Sequence, residues 1–259
     1  MTGVQTCALP ILIMHSCTNK TNIAYPETRQ DTIVDNYWGT QVPDPYRWLE
    51  DDRSAETEAW VVAQNQVTYS YLEQIPFRNK LKERFTELMN YPKYSSPKKL
   101  NNKYYFYKND GLQNQSVLYE LDSLTAEPKV LLDPNKLSDD GTIALSQAAF
   151  SKDGKYLAYS IAKSGSDWNE IYVMEVASRK LLSDHIEWVK FSGISWQGDG
   201  IYYSAYSKPE AGQEYSNKNG YHKVFYHQIG QEQDKAKILY ENKQFALRHC
   251  GAGENENKK

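Results

Sequence analysis

From about residue 100 onward, apolar and polar positions alternate with a period of two. The runs KYYFYK, SVLYEL and KVLLD are short strand signals separated by turns such as NDGLQNQ. A second group follows, LSQAAF, KYLAYSI, EIYVMEV and KLLS. A third reads VKFSGISW, IYYSAY, KVFYHQI and AKILYE. Each later group holds four strand candidates. Asp153-Gly154 and Asp199-Gly200 recur about 46 residues apart, a spacing within the range of propeller blades. A blade is a four-stranded antiparallel sheet that needs neighbours on its faces. The pattern therefore predicts a mainly β chain, a partial β-propeller of about three blades, with Asp-Gly supplying a tight hairpin in each repeat. A β-sandwich is the competing reading. Closed propellers have four to eight blades, so the sequence reads as a truncated ring.

Before residue 96 the period is helical. Ser54 is placed to cap a helix over SAETEAWVVAQNQVTYSYLEQ, with Glu56 and Glu58 at its positive end. Trp60, Ala63, Val67 and Tyr71 share one face, and Pro76 breaks the pattern. A second helix is predicted over Arg78–Met89, with Leu81, Phe85 and Leu88 on one stripe. Pro92 and Pro97 then mark a boundary. This divides the chain into a leader (1–23), a helical segment (24–95) and the partial propeller (96–259). Two amphipathic helices ahead of a β-repeat need an apolar partner.

Composition adds exclusions. The chain has 259 residues, 40% of them apolar, 21 tyrosines and a net charge of −3. No basic stripe marks a nucleic-acid or anionic-membrane partner, and no run is long enough for a transmembrane helix. Cys7, Cys17 and Cys250 make neither a disulfide framework nor a paired metal motif. His222 and His227 flank a strand-like run and read as surface or edge histidines. Gly193-Ile194-Ser195-Trp196-Gln197 lacks the second glycine of a nucleophile elbow. GAGENEN lacks the context of a dinucleotide loop, and Asp139-Asp140 reads as a solvated turn. No catalytic residue, metal site or cofactor is expected. MTGVQTCALPI resembles a translated sequencing adapter and is set aside. LIMHSCTNK after it reads as the tail of a bacterial lipoprotein signal with Cys17 as lipid attachment. That implies a periplasmic or membrane-anchored protein; without it the expected location is the cytoplasm.

Several stretches together resemble the N-terminal part of the prolyl oligopeptidase family. They are DPYRWLED (44–51), ERFTELMNYPKYS (83–95), YFYKNDGLQNQSVLYE (105–120), LLDPNKLSDDGTIAL (131–145), FSKDGKYLAYSIAKSGSDW (150–168) and VKFSGISW (189–196). The resemblance runs collinearly from about Tyr25 to Gly253. It implies a seven-bladed propeller covering an α/β-hydrolase domain, with the helical segment packed on that domain. It also implies cleavage of short peptides after proline by a Ser-His-Asp mechanism, with the propeller restricting entry. The three catalytic residues have no counterpart in this chain, which on its own is expected to be inactive. Substrate-lining positions carry over to Val173 and to the neighbourhood of His249, though neither keeps the family's usual side chain. The alternative is a non-catalytic, lipid-anchored, propeller-like module that binds peptides or a protein.

Overall fold

The computed structural model describes residues 23–210, 212 and 218–254. The leader with Cys17 lies outside the described residues. The chain divides into two compact units, with the boundary between Arg78 and Asn79.

The first unit holds a hairpin, β1 (Val34–Tyr37) and β2 (Thr40–Pro43), and helix α1 (Ala55–Glu73). Trp38 and Gly39 take positive φ at the hairpin turn, and Gly39 is the residue that adopts this freely. Ser54 caps α1 as its sequence requires: its Oγ accepts from Thr57 N–H at 3.1 Å. The indole of Trp60 donates to Thr28 Oγ1 at 2.9 Å and meets Trp48 edge-on at 6.5 Å. Of the predicted stripe, Trp60, Ala63 and Val67 are half-buried, and Tyr71 is exposed.

The second unit begins with α2 (Arg78–Met89), which buries none of its residues. A five-stranded sheet follows: β3 (Lys93–Tyr94), β4 (Lys98–Leu100), β5 (Lys103–Asn109), β6 (Val117–Leu121) and β7 (Lys129–Leu132), with β3 and β4 both paired to β5. Then come β8 (Ile143–Phe150), β9 (Tyr156–Lys163), β10 (Asn169–Glu175) and β11 (Lys180–Val189), a four-stranded antiparallel meander. Another is formed by β12 (Ser195–Gln197), β13 (Gly200–Ala205), β14 (Lys223–Gln228) and β15 (Lys237–Glu241). The last two meanders are joined in the sheet by a single backbone pairing, Val189 with Ala205. Together with β4–β7 they are the three predicted blades.

The period-two pattern explains how the blades stack. On β9, Leu157, Tyr159 and Ile161 enter one apolar cluster with Tyr105, Leu118, Leu131 and Leu132 of the first blade. Their neighbour Ala158 faces the opposite way. It joins Ile171, Val173 and Ile186 against Ile194, Trp196, Ile201 and Tyr203 of the third blade. Cross-strand pairing keeps the two faces in step: Ala158 lies opposite Val173, and Leu157 opposite Met174. A one-residue slip would exchange every side chain between the two clusters, so the alternation fixes the register. Full burial of one such aliphatic side chain contributes about 1.5–3 kcal/mol. Polar bonds reinforce the stacking. Gln115 Nε2 donates to Ile143 O and its Oε1 accepts from Leu145 N–H, both at 2.7 Å. Trp196 Nε1 donates to Ala149 O at 2.8 Å.

Two readings are corrected. The two Asp-Gly pairs are not the same turn. Gly154 carries φ +69° between β8 and β9, but at the second site Gly198 takes φ +54° and Gly200 opens β13. A Cβ at Gly200 would lie 2.5 Å from His227 O and from the Tyr226 ring, so close approach, not a turn, demands glycine there. The run VKFSGISW is not one strand. It breaks between Val189 and Ser195, where Phe191 adopts φ +52°.

Candidate functional site

Antiparallel meanders bring alternate connections to the same end of a sheet. One end of the second and third blades gathers the β9–β10 turn, the β11–β12 break, the residues after β13, those before β14 and those after β15. The side chains assembled there are Trp168, Trp188, Phe191, Tyr206, His222 and His249. Trp168 meets Trp188 at 5.6 Å and Tyr206 at 6.4 Å, both near edge-to-face. Phe191 lies 5.4 Å from His249, and Tyr206 lies 4.6 Å from His222. The ammonium of Lys190 sits 4.9 Å from the Trp168 ring and 3.5 Å from Asp167 Oδ2.

This end is also where the backbone is strained. Ser164, Trp188, Phe191 and Tyr221 all have φ between 50° and 61°. Left-handed backbone is costly for bulky residues and persists only where surroundings hold it. The strain aims Phe191 outward: it is 56% exposed, while Tyr206 beneath it is 8% exposed. Burial raises the Tyr206 phenol above its ordinary range, so it stays neutral. Beside the cluster opens a cavity of about 490 Å³ whose lining includes Trp188, Tyr203, Tyr206, Lys208 and Phe225. Flat, rigid, partly exposed rings suit stacking against apolar or ring-shaped side chains.

The two predicted lining positions lie in different surroundings. His249 belongs to the aromatic cluster and is exposed. Val173 is 1% exposed, packed between the second and third blades. The histidines read as surface or edge residues are neither: His222 and His227 are each 1% exposed. His227, on β14, is covered where Asp184 of β11 reaches it, and His222, just before β14, is enclosed by Tyr206 and by the backbone at Lys190 and Cys250. His227 Nε2 bonds Asp184 Oδ1 at 2.7 Å, and the same oxygen accepts from Gly230 N–H at 2.7 Å. This imidazole–carboxylate pair is sealed from solvent, so it cannot meet a substrate. It joins β11 of one blade to β14 of the next. Ser195 Oγ accepts from the backbone N–H of Glu254 at 3.2 Å rather than facing an imidazole. Asp140 accepts from the Thr142 backbone and hydroxyl, which lowers its pKa, as a turn carboxylate does.

Among the described residues, Glu170, His185 and Glu187 bring three possible ligand atoms within 4.8 Å of one another. Glu170 is already engaged by Lys163 at 2.6 Å and by the Tyr172 hydroxyl at 2.6 Å. Burial pushes its pKa up, but these partners outweigh it and the net direction is down. The group is a satisfied surface network. No helix among the described residues is long and apolar enough to cross a membrane.

Sequence reasoning missed the aromatic cluster because its members come from separate stretches of chain, Trp188 within β11 and Phe191 and Tyr206 within runs read as strands, and only the assembled sheet ends bring them together. The available signal was the number of Trp, Phe and Tyr residues at or just beyond strand ends, where turn residues are otherwise small and polar.

Comparison with known proteins identifies the family. Residues 25–259 match the family model described as prolyl oligopeptidase, N-terminal beta-propeller domain. A prolyl endopeptidase from Elizabethkingia meningoseptica is 46% identical over 238 residues, covering 92% of this chain and 34% of the relative. Another from Elizabethkingia miricola is 45% identical over 235 residues, covering 90% of this chain and 33% of the relative. Among solved structures, prolyl oligopeptidase B from Galerina marginata, bound to a 35mer hydrolysis and macrocyclization substrate, matches with TM-score 0.74 and 33% identity. The match covers 91% of this chain and 36% of that one. The chain thus spans about a third of the length of these relatives. Blade topology, the stretches noted in the sequence and these matches agree: the chain belongs to the prolyl oligopeptidase family, within its N-terminal β-propeller domain.

Proposed function

We propose that this chain supplies the helical segment and the first blades of a proline-specific serine peptidase. The whole protein hydrolyses short peptides after proline by a Ser-His-Asp mechanism, on a hydrolase module outside these residues. The single observation that carries this reading is the 46% identity across 92% of the chain to a prolyl endopeptidase three times its length. Within the arc, the end bearing Phe191 and His249 faces the peptide. It is the place where exposed rings, strained backbone and a cavity coincide. Aromatic faces there stack against apolar residues of the peptide.

The helices fit the same reading. Leu81, Phe85 and Leu88 of α2 are 48%, 63% and 50% exposed, an apolar stripe of the kind that packs on another domain. The test is a chimera joining this chain to the downstream two thirds of the Elizabethkingia meningoseptica relative. The chimera should cleave a proline-containing chromogenic peptide, and the chain alone should not. A folded chimera without turnover, or turnover by the isolated chain, overturns the reading.

A further inference from the structure

His222 lies at the centre of the aromatic end, yet at 1% exposure it cannot touch a ligand. Both its ring nitrogens are committed to backbone groups of different connections. Nε2 lies 3.0 Å from Lys190 O, a pure acceptor, so Nε2 carries a proton. Nδ1 accepts from Cys250 N–H at 3.1 Å, so Nδ1 does not. The tautomer follows from these two bonds. Lys190 adjoins the strained Phe191, and Cys250 adjoins His249, the pair that meets at 5.4 Å. The ring is itself held in place. Tyr221, at φ +59°, donates its N–H to Ala246 O at 2.7 Å, and Tyr206 packs on the imidazole.

We propose that His222 is a positioning residue: as a neutral, Nε2-protonated imidazole it clamps the Phe191 and His249 segments together, and gain of a proton at Nδ1 releases the second.

A proton on Nδ1 would face the Cys250 N–H, donor against donor, and the bond would be lost. The titratable groups that face the ring are Lys190 after β11, Tyr206 after β13, and His249 and Cys250 after β15. Burial lowers the His222 pKa and the nearby His249 lowers it further, while the bond to Lys190 O opposes them. The sign follows. With the folded value below the ordinary one, the clamp is fully present above the ordinary histidine range. It is lost as pH falls through the folded value. Its effect on peptide contact rests on the reading under Proposed function; the clamp itself does not.

The experiment is a set of long-range proton–nitrogen NMR spectra of the 15N-labelled chain, from pH 8 to pH 5. His222 should show the Nε2–H pattern and titrate below the ordinary histidine range. The Cys250 amide and the Phe191 ring should shift at the same midpoint. An Nδ1–H pattern, or a titration that leaves the Cys250 amide unmoved, overturns the proposal. H222Q gives a second readout, because a glutamine amide can donate to Lys190 O and accept from Cys250 N–H without gaining a proton. It should keep the Phe191–His249 contact and lose the pH response; H222F should lose the contact. If H222Q does not fold, the wild-type spectra alone decide. Addition of a proline-containing peptide separates the two ideas: unmoved Phe191 and His249 signals defeat the peptide-facing surface and leave the clamp intact.

Discussion

Strands β9 and β15 use the same vocabulary, aliphatic and tyrosine side chains in short alternating runs, and meet opposite fates. In β9 the five residues Leu157–Ile161 are all buried, with Leu157 and Ala158 at 0% exposure. In β15, Ile238, Leu239 and Tyr240 remain 53%, 51% and 45% exposed. The cause is position. β9 has a neighbouring blade on each face, and its two side-chain sets enter separate clusters. β15 is the outer strand of the last described meander. Apolar alternation thus states what a strand needs, while neighbouring sheets decide whether it is met. The exposed stripe on α2 makes the same point for a helix.

The comparison can be broken from its centre outward. Asp184 and His227 join the second and third blades in a sealed pair. Asp184→Ala leaves both the buried imidazole and the Gly230 N–H without a partner and should cost about 2–6 kcal/mol, read as a fall in the urea midpoint. Ile171→Ala, at a site 0% exposed, should cost about 2–5 kcal/mol in the same assay. The matching change on the outer strand, Leu239→Ala, should stay within about 0.5 kcal/mol. Equal losses at Ile171 and Leu239 would mean that β15 is covered in the isolated chain. Gly200→Ala places a methyl against His227 O and the Tyr226 ring, and should cost about 1–3 kcal/mol of overpacking. A further effect belongs to the first unit. Ser54→Ala removes the α1 cap and should lower helical stability by about 1 kcal/mol, measured by circular dichroism.

Much of the fold was legible because its signals were local. The Ser54 cap and the limits of α2 follow from residues within a turn of each boundary, and α2 spans Arg78–Met89 as its apolar spacing indicates. The strand runs followed from period two, and the blade from the four-strand grouping. What failed depended on contacts distant in sequence. Gly200 is glycine because of Tyr226 and His227, residues that no turn rule consults. The burial of His222 and His227 follows from the strands and connections packed around them. Val189–Trp196 had strand-like alternation, yet the strand ends at Val189 and resumes at Ser195, with Phe191 in left-handed backbone between them. The candidate site was correspondingly less legible. His249 was reached through family resemblance, while its partners Phe191, Tyr206 and His222 needed the assembled sheet ends.

Under the proposed function, the apolar surfaces left open on β15 and α2 belong to contacts with the rest of a larger peptidase. Amide hydrogen–deuterium exchange, compared between the isolated chain and the chimera with the downstream two thirds of the Elizabethkingia meningoseptica relative, tests it most directly. β9 and β10 should be slow in both proteins, and β15 and α2 fast in the chain and about tenfold or more slower in the chimera. Unchanged exchange at β15 and α2 in a folded chimera would contradict it.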